Sequence, residues 1–484
     1  MTVIVKDRLL NLLQGQLNSY YEWVGFFLDP NICDYEKEKH AAHFLNKELE
    51  QIDLSLVAFP VEISQIPAWC QAENQTTGVK YQAYLERRRG GAKREYFPHI
   101  GQAFEFLVKI APVKKVDGAW LYSLLQYWNA PTFHDLILIY LEELGLGQTS
   151  ANHVCMYDDL LRVLGLDDFE DLLEDQYYHH PAIQLALAYA PAEFIPEIIG
   201  FNLGYEQLPL HLLITNYELA ELGIDSKYFN QHITIDNLDS GHAYKSIQAV
   251  ECFSEKYPDQ AQFLHRLKRG YVLNYRGVSS TQIIQNLDLQ QWVYKIFKRK
   301  ARVGQLIHND KCKFANRSVN QWLSQPEKVE QFLEHLVEHR WIQLNADPEQ
   351  SRFWQLIHHV DGKMYGVFSL AEQQMIHDWI AGDNGGSSYL ACKKIMHQDQ
   401  HIQAHLFDYF ADDELETLQN KIAQAHTVAH KICKLIPFLA PGLHHKNIGL
   451  WSTQKFVECL FPYVIHHPIS NQPIHLTPQN IHSP

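Results

Sequence analysis

Apolar residues along the chain recur mainly at helical spacing, and the alternation that is typical of β-strands is rare. Residues 1–85 are predicted to form amphipathic helices, which the segment Pro60–Pro67 interrupts. The charged, glycine-containing segment Glu86–Glu95 is predicted to be a mobile surface loop, for which phosphate binding is the less favoured role. From Tyr96 to about Tyr271 the predicted helices are long and their connections short. The pattern therefore predicts a mainly α protein.

Residues 280–381 differ in pattern from the segments on either side. Helical spacing leads to Phe353–His358, a turn at 360–362 and then Lys363–Phe368, and this succession predicts a β-hairpin. Ser369–Glu372 has the sequence of a capping box, so the next helix is predicted to begin there. Helices followed by a hairpin resemble a winged-helix module. Packing or dimerisation is the favoured role for such a module here.

Composition and charge narrow the functional classes. The chain is 46% hydrophobic and 20% charged, and no run of about 18 apolar residues long enough to span a membrane occurs. A formal charge of -15 argues against broad nucleic-acid binding and against binding to anionic membranes. DNA binding is left as a disfavoured, local alternative at one basic patch, formed by Lys295, Lys298, Arg299, Lys300 and Arg302.

The cysteines and the N-terminal segment favour a cytoplasmic protein. The eight cysteines are scattered and form no Cys-x-x-Cys pair, which excludes an obvious zinc ribbon and fits a reducing compartment. The first residues lack the basic and unbroken apolar regions of a signal peptide. A homodimer is compatible with the sequence.

Histidine is unusually frequent, with 28 residues, and this directs attention to metal ligands. The apolar helix predicted at Phe133–Leu144 carries Glu142 and Glu143. His153 follows Glu143 after ten residues and two glycines. Because each helical residue turns about 100°, Glu143 and His153 can share one ion only where the glycines let the helix unwind.

A second dense segment lies between Tyr228 and His242. On one continuous helix, His232, Asp236 and Asp239 would share a face, and His242 would lie about 80° away unless the chain turns more widely at the preceding glycine. Buried carboxylates need partners, and metal ions are the usual partners where several converge.

Further carboxylates occur on neighbouring predicted helices. Asp117 opens the helix that follows it, and antiparallel packing about residues 129–131 would place it level with Glu143. Glu105 is the alternative, several turns away from that level. Glu206 follows an apolar stretch and precedes Pro209.

The combined set of carboxylates and imidazoles suits iron or manganese better than structural zinc, which favours thiolates. Each residue alone is more often a solvated or capping group, and it is their joint spacing that favours a metal site. Trp120, Tyr140 and Tyr205 neighbour the proposed ligands and are candidates to line a pocket, with core packing as the alternative. A solvated face is the favoured interpretation of the C-terminal histidines at 397, 401, 405, 426 and 430.

The spacing Glu143-x9-His153 followed by His232-x3-Asp236 resembles the haem-oxygenase-like diiron oxidases, in particular the iron-containing redox enzymes. The similarity covers roughly residues 95–255. The stretches that are similar to that group's are 111–121, 141–147 and 235–242.

This resemblance implies a haem-oxygenase-like helical bundle, two irons held without haem, and the activation of O2. It implies N-oxygenation or oxidative C–C cleavage of an amino-acid-like or fatty-acid-like substrate. The ligands that it implies are Glu143, His153, Glu206, His232 and Asp236, with the first-helix carboxylate, usually Glu in the family, assigned to Asp117. The family commonly has a second histidine three residues after the aspartate, where this chain has Asp239. Either Asp239 replaces it or His242 does, and Gly241 favours His242.

The predicted organisation is an N-terminal helical extension (1–95), a haem-oxygenase-like metal-binding domain (96–275), a winged-helix-like module (276–381), and a C-terminal helical region with a Pro-, His- and Asn-rich tail (382–484). The predicted function is that of an iron-dependent oxidoreductase acting on O2 and a small molecule, with an electron donor that the sequence does not identify and manganese as the alternative metal. The alternatives are a non-catalytic regulatory protein with a winged-helix-like module and, third, a single-metal hydrolase.

Overall fold

Helices make up most of the chain in the computed structural model, which describes residues 17–306, 308, 311, 313–384 and 412–462. The helices of the N-terminal part are α1 (Tyr20–Leu28), α2 (Asp34–Glu50), α3 (Ile66–Arg89), α4 (Ile100–Lys114), α5 (His134–Glu143), α6 (His153–Leu164), α7 (His179–Ala188), α8 (Ile195–Tyr205), α9 (Leu210–Glu221), α10 (Lys227–Ile235), α11 (His242–Lys256) and α12 (Gln260–Leu273). Those that follow are α13 (Ser280–Gln285), α14 (Leu289–Gly304), α15 (Val319–Leu323), α16 (Val329–Glu338), α17 (Arg352–His358), α18 (Leu370–Ala381), α19 (Asp412–Ala423), α20 (Val428–Leu435) and α21 (Asn447–Leu460). A nine-residue 3₁₀ helix spans Ala119–Tyr127. The mainly α prediction is confirmed.

The segment Glu86–Glu95 is only partly the loop that its composition predicts. Helix α3 continues to Arg89 and ends at Gly90, so the first four residues of the segment are helical. Arg88 also forms an ion pair with Glu221 at 2.6 Å. Basic side chains in a last helical turn interact favourably with the carbonyl end of the helix, so the positive charge near the end of α3 stabilises this helix instead of ending it earlier.

The β-hairpin predicted at 353–368 is wrong. Residues Arg352–His358 form α17, with Phe353, Trp354 and Ile357 buried on one side, and turns follow it. The strands in the described part of the chain are β1 (Lys313–Phe314) and β2 (Arg317–Ser318), which pair antiparallel ahead of α15. The winged-helix-like module is therefore not confirmed. The sequence could not distinguish the two structures, because a short apolar run has the same composition in a helix and in a strand. The capping box of Ser369 and Glu372 at α18 is confirmed.

The basic patch on α14 is largely paired with carboxylates. Glu372 accepts from Arg299 at 2.7 Å and lies 2.8 Å from Lys300. The remaining ion pairs of the patch are Lys295 with Glu174, Lys298 with Glu330, and Arg299 with Asp171. Local pairing of this kind leaves less positive charge available for phosphate contacts.

Buried apolar side chains form two clusters. The first core draws on α1 to α3, α5, α7, α8, α11, α12 and α19 to α21, together with the 3₁₀ helix Ala119–Tyr127. The second core draws on α4, α6, α9, α10 and α13 to α18. Helices α5, α8 and α11 thus lie against one core and α6 and α10 against the other, and the candidate ligands sit where the two cores adjoin.

Helices α8 and α12 cross at two glycines. A Cβ on Gly200 would lie 2.0 Å from the Leu267 carbonyl oxygen, and one on Gly270 would lie 2.0 Å from that of Glu197. The two backbones are therefore in direct contact, and any side chain at either glycine would separate them. Among the described residues no single helix is long and apolar enough to cross a membrane, although the pair Asp175–Ala188 and Ala192–Tyr205, bent by 114°, passes that test jointly.

Candidate metal centre

All seven predicted ligands are buried and lie close together: Asp117, Glu143, His153, Glu206, His232, Asp236 and His242. Six of them form two groups, in each of which the possible ligand atoms lie within 4.8 Å of one another. The first group is Asp117, Glu143, His153 and His232, and the second is Glu143, Glu206 and His242. Glu143 belongs to both groups.

The first group begins with Asp117, in the short turn between α4 and the 3₁₀ helix. The next residue, Gly118, has a φ of 76°, and a Cβ there would lie 2.7 Å from Cβ of Glu143. Asp117 is therefore level with Glu143, as the predicted antiparallel packing requires. Close approach and a left-handed backbone both demand glycine at this position.

His153 reaches the group because one helix ends and a new helix begins, rather than by local unwinding of a single helix. Helix α5 ends at Glu143, and the following turn contains Gly145 at φ 62° and Gly147 at φ 82°. Helix α6 then begins at His153, and the Asn152 side chain caps it by accepting from the Cys155 N–H at 3.1 Å. The glycines act as expected, but the two ligands belong to separate helices.

The ring of His232 has a defined orientation. Its Nδ1–H donates to the Tyr228 carbonyl oxygen at 2.9 Å, which leaves Nε2 facing Oδ2 of Asp117 at 3.0 Å. Asp117 also accepts from the hydroxyls of Tyr205, at 2.9 Å, and of Tyr228. The ammonium of Lys114 lies 3.6 Å from the same carboxylate.

These contacts shift the pKa values of both partners. Burial by itself raises the pKa of Asp117, but Lys114 and His232 outweigh it and hold that pKa well below its usual range. Burial alone would lower the pKa of His232, but the hydrogen bond and the charge of Asp117 outweigh burial and raise this pKa to about 9. Burial alone would likewise raise the pKa of Glu143, but the nearby His153 has the larger effect and lowers this pKa to about 2. Lys114 and His232 thus balance the negative charge of Asp117.

The segment from Tyr228 to His242 is not one helix, so the predicted shared face of His232, Asp236 and Asp239 is wrong. Helix α10 ends at Ile235, because the Asn237 side-chain oxygen accepts the backbone N–H groups of Asp239, Ser240 and Gly241 at 2.9–3.1 Å. Such side-chain bonds compete with the helical ladder. Asp239 is consequently exposed, and His242 begins α11.

In the second group, His242 faces three carboxylates. Its Nδ1 lies 3.2 Å from Glu143 and from Glu206, and 3.4 Å from Asp236. Gly241 permits this approach, since a Cβ there would lie 2.0 Å from the Ile235 carbonyl oxygen. Burial, with Asp236 and Glu143 nearby, raises the pKa of Glu206 to about 8, while Glu206 and its neighbours raise the pKa of His242 despite burial.

The alternative ligands lie elsewhere. Glu105 is buried but pairs with Lys109 at 2.5 Å and accepts the Asp288 N–H at 3.0 Å. Asp239 is solvent-exposed, as described above. Of the C-terminal histidines, 397, 401 and 405 lie outside the described residues, whereas His426 and His430 are exposed.

The three predicted pocket residues have different surroundings. Tyr205 bonds directly to Asp117. Trp120 packs on Tyr205 with ring centroids 4.3 Å apart and donates to the Asn202 side chain at 2.9 Å. Tyr140 is buried and donates to the Leu439 carbonyl oxygen. Of these three residues, Tyr205 alone forms a hydrogen bond with a candidate ligand in the described part of the chain.

Sequence reasoning assigned no role to three side chains around the cluster. Tyr228 lies four residues before His232, a helical spacing that signals a shared face. Lys114 precedes Asp117 by three residues. Glu142, beside Glu143, bonds to Nε2 of His242 at 3.0 Å. A further group of possible donors, at His335, Glu338 and His339, lies at the surface end of α16 and is half-buried or exposed.

Four buried atoms show that the cluster suits a metal. Glu143 Oε2, His153 Nδ1, Glu206 Oε1 and Asp236 Oδ1 are buried and form no hydrogen bond in the described structure. Three of them keep a charge contact, because Glu143 Oε2 forms an ion pair with His153 Nδ1 and Asp236 Oδ1 lies 3.4 Å from Nδ1 of His242. Buried polar atoms without a hydrogen bond are costly, and a divalent cation would satisfy carboxylate oxygens and imidazole nitrogens together. The donor set is oxygen and nitrogen, without thiolate, which fits iron or manganese.

Comparison with known families gives one result for this stretch. Residues 104–275 match the model of the family described as iron-containing redox enzyme. The matched stretch contains every residue of both groups. This confirms the resemblance to the haem-oxygenase-like superfamily, and with it the haem-oxygenase-like helical fold. No curated protein and no solved structure matches the chain.

Proposed function

Because residues 104–275 match the iron-containing redox enzymes, we propose that this protein is a non-haem diiron oxidase or oxygenase that uses O2 to oxidise a small organic molecule. The observation that carries the proposal is that Glu143 belongs to both groups of ligands. Paired metal ions in enzymes lie about 3.5–4 Å apart, a distance that one shared carboxylate can serve. The family match supplies the metal and the redox class.

The two groups differ in composition. Asp117, Glu143, His153 and His232 would hold one iron, and Glu143, Glu206 and His242 would hold the other. Asp236, 3.4 Å from Nδ1 of His242, is the remaining carboxylate for the second iron. When bound, the iron pair supplies the activation of O2, which amino-acid side chains do not provide.

The chain's own residues prepare the site for this chemistry. Tyr205, Tyr228 and Lys114 hold the Asp117 carboxylate in one orientation. The backbone carbonyl of Tyr228 sets the tautomer of His232 and leaves its Nε2 for a metal. Burial of every ligand excludes water, which strengthens electrostatic interactions and suppresses side reactions.

The substrate class follows from the family resemblance alone. We propose an amino-acid-like or fatty-acid-like substrate, with Tyr205 and Trp120 lining its site. Manganese is the alternative metal, because it shares the preference for carboxylate and imidazole ligands. The reaction also requires an electron donor wherever the chemistry consumes more electrons than the substrate provides.

The proposal is tested by anaerobic titration of metal-free protein with Fe(II), followed by exposure to O2 with stopped-flow absorbance. We expect uptake of about two irons per chain and a transient visible band. His232→Ala removes one ligand of the first group, so it should lose iron and abolish the band.

His339→Ala is the matched control. It removes a histidine from the surface group at the end of α16 and should leave both the stoichiometry and the band unchanged. Absence of iron uptake by the wild type, or uptake that is indifferent to His232→Ala, would overturn the proposal and favour the non-catalytic alternative. Hydrolytic turnover in the absence of O2 would favour a hydrolase instead.

A further inference from the structure

Glu142 has no ligand role in the proposed site, yet it is held in a defined position beside it. It ends α5 together with Glu143 and is only 9% exposed. One oxygen lies 3.0 Å from Nε2 of His242. The same oxygen forms an ion pair with Lys245, which is 14% exposed. A nearly buried carboxylate is thus directed at the back of one imidazole, and the ammonium of Lys245 holds that carboxylate.

This arrangement determines which nitrogen of His242 can bind a metal. Because a carboxylate only accepts hydrogen bonds, Nε2 of the ring must carry the proton that Glu142 receives. Nδ1 is then left to face Glu143, Glu206 and Asp236 at 3.2–3.4 Å. His242 and Lys245 lie three residues apart on α11, so one helix face presents both partners to α5.

The histidines of the first group depend on neutral partners instead. Nδ1 of His232 bonds to the Tyr228 carbonyl oxygen at 2.9 Å. Nε2 of His153 lies 3.3 Å from the Gln231 side-chain amide. An ionised partner makes an imidazole a more basic ligand than a neutral partner does, and removing such a partner typically weakens metal binding about 10–100-fold.

We infer that Glu142, held by Lys245, is a positioning residue for His242 and acts on only one of the two metals, the one bound by Glu143, Glu206 and His242. This inference rests on the proposed function. The ion pair between α5 and α11 strengthens metal binding at the second position and leaves metal binding at the first position unaffected.

The test measures metal binding rather than turnover. Wild type, Glu142→Gln and Lys245→Met are titrated anaerobically with Co(II), and bound metal is followed by equilibrium dialysis and by the visible absorption of the coordinated ion. We expect two ions per wild-type chain. In Glu142→Gln, the ion held by Asp117, Glu143, His153 and His232 should bind as in wild type. The ion held by Glu143, Glu206 and His242 should bind about 10–100-fold more weakly. Lys245→Met should shift the second ion in the same direction by a smaller factor.

Glu105→Gln provides the matched control. Glu105 forms an even more deeply buried carboxylate–ammonium pair, with Lys109 on α4, but touches neither group of ligands. It should bind both ions as the wild type does. Circular dichroism of every variant separates loss of fold from loss of metal.

The possible outcomes are distinct. Equal binding of both ions by wild type and Glu142→Gln would overturn the inference and leave the proposed function standing. Equal weakening of both ions in folded Glu142→Gln would also overturn it, because the asymmetry would be absent. A wild type that binds no metal would overturn the proposed function, and the inference with it.

Discussion

Single residues around Asp117 hold its carboxylate in a defined position. Two tyrosine hydroxyls donate to its carboxylate, and the Lys114 ammonium lies 3.6 Å away. Because these groups use defined oxygens of Asp117, the carboxylate loses little conformational freedom when an ion binds. Preorganisation of this kind reduces the entropic cost of binding.

Gly118 offers a test at this scale. Gly118→Ala would force an alanine to a φ of 76° and place its Cβ 2.7 Å from Cβ of Glu143. We expect a loss of about 1–3 kcal/mol in the free energy of unfolding from overpacking, increased by left-handed strain, and weaker metal binding. Urea unfolding and Fe(II) titration measure the two effects.

The matched control is Gly78→Ala. Gly78 lies inside α3, where an added Cβ meets nothing within 4 Å. Alanine there should stabilise the protein by about 0.5–1 kcal/mol and leave metal binding unchanged. If Gly118→Ala behaved like Gly78→Ala in both assays, the close contact with Glu143 would not govern the site.

At the scale of helices, positions of ligands depend on how elements end and cross. Glu206 is the C-cap of α8, and its backbone N–H bonds to the Asn202 carbonyl oxygen at 3.0 Å. The direction of α8 is set by its glycine crossing with α12. The crossing therefore decides where Glu206 meets His242.

Gly200→Ala tests this relation. Its Cβ would lie 2.0 Å from the Leu267 carbonyl oxygen, and a carbonyl in a helix cannot move without moving the helix. We expect a loss of about 3 kcal/mol in the free energy of unfolding, measured by urea denaturation, and weaker binding of the second metal. Gly25→Ala, in α1 with nothing within 4 Å of the added Cβ, should not destabilise the protein.

At the scale of the whole molecule, the C-terminal helices pack directly against the elements that carry the candidate metal centre. The Tyr140 hydroxyl bonds to the Leu439 carbonyl oxygen, and the Asn152 amide nitrogen lies 3.1 Å from Nδ1 of His444. A Cβ on Gly147 would lie 2.4 Å from the Leu450 carbonyl oxygen. The segment 439–450 therefore helps to bury the turn that leads to His153.

His444 makes the stability of this packing depend on pH. It is 1% exposed, and burial, with His445 and His153 nearby, holds its pKa well below the usual value. Below about pH 6.5 the unfolded chain therefore binds a proton that the folded chain does not. Stability should fall as pH decreases below this value, by up to about 1.4 kcal/mol per pH unit from this residue.

His444→Gln should remove that contribution and flatten the pH dependence of unfolding of the metal-free protein between about pH 6.5 and 4.5. Urea unfolding at several pH values measures the slope. His430→Gln, at an exposed position on α20, should leave the slope as in wild type. An unchanged slope in His444→Gln would show that the folded protein already accommodates the proton.

Much of the fold and the site could be predicted because the signals are local. Helical periodicity depends on neighbouring residues alone, and it predicted α5 and the helix that carries His232. The ligand types also lie in the sequence, so Glu143, His153 and His232 could be named as candidates. The prediction at 353–368 was wrong because a run of seven residues with apolar members suits either a helix or a strand, and only its packing partners decide.

The sequence by itself determined the helical class, the oxygen and nitrogen chemistry of the donors, and the glycines at which the chain can break. These are properties of single residues and of short spacings. Only the tertiary structure showed that Asp117 and His242 lie in the buried cluster, whereas Glu105 and Asp239 lie outside it. The Asn237 side chain ends α10, which carries Asp239 to the surface and begins a new helix at His242. Convergence of several helices on one buried point depends on how two cores pack together, and no spacing along the chain contains that information.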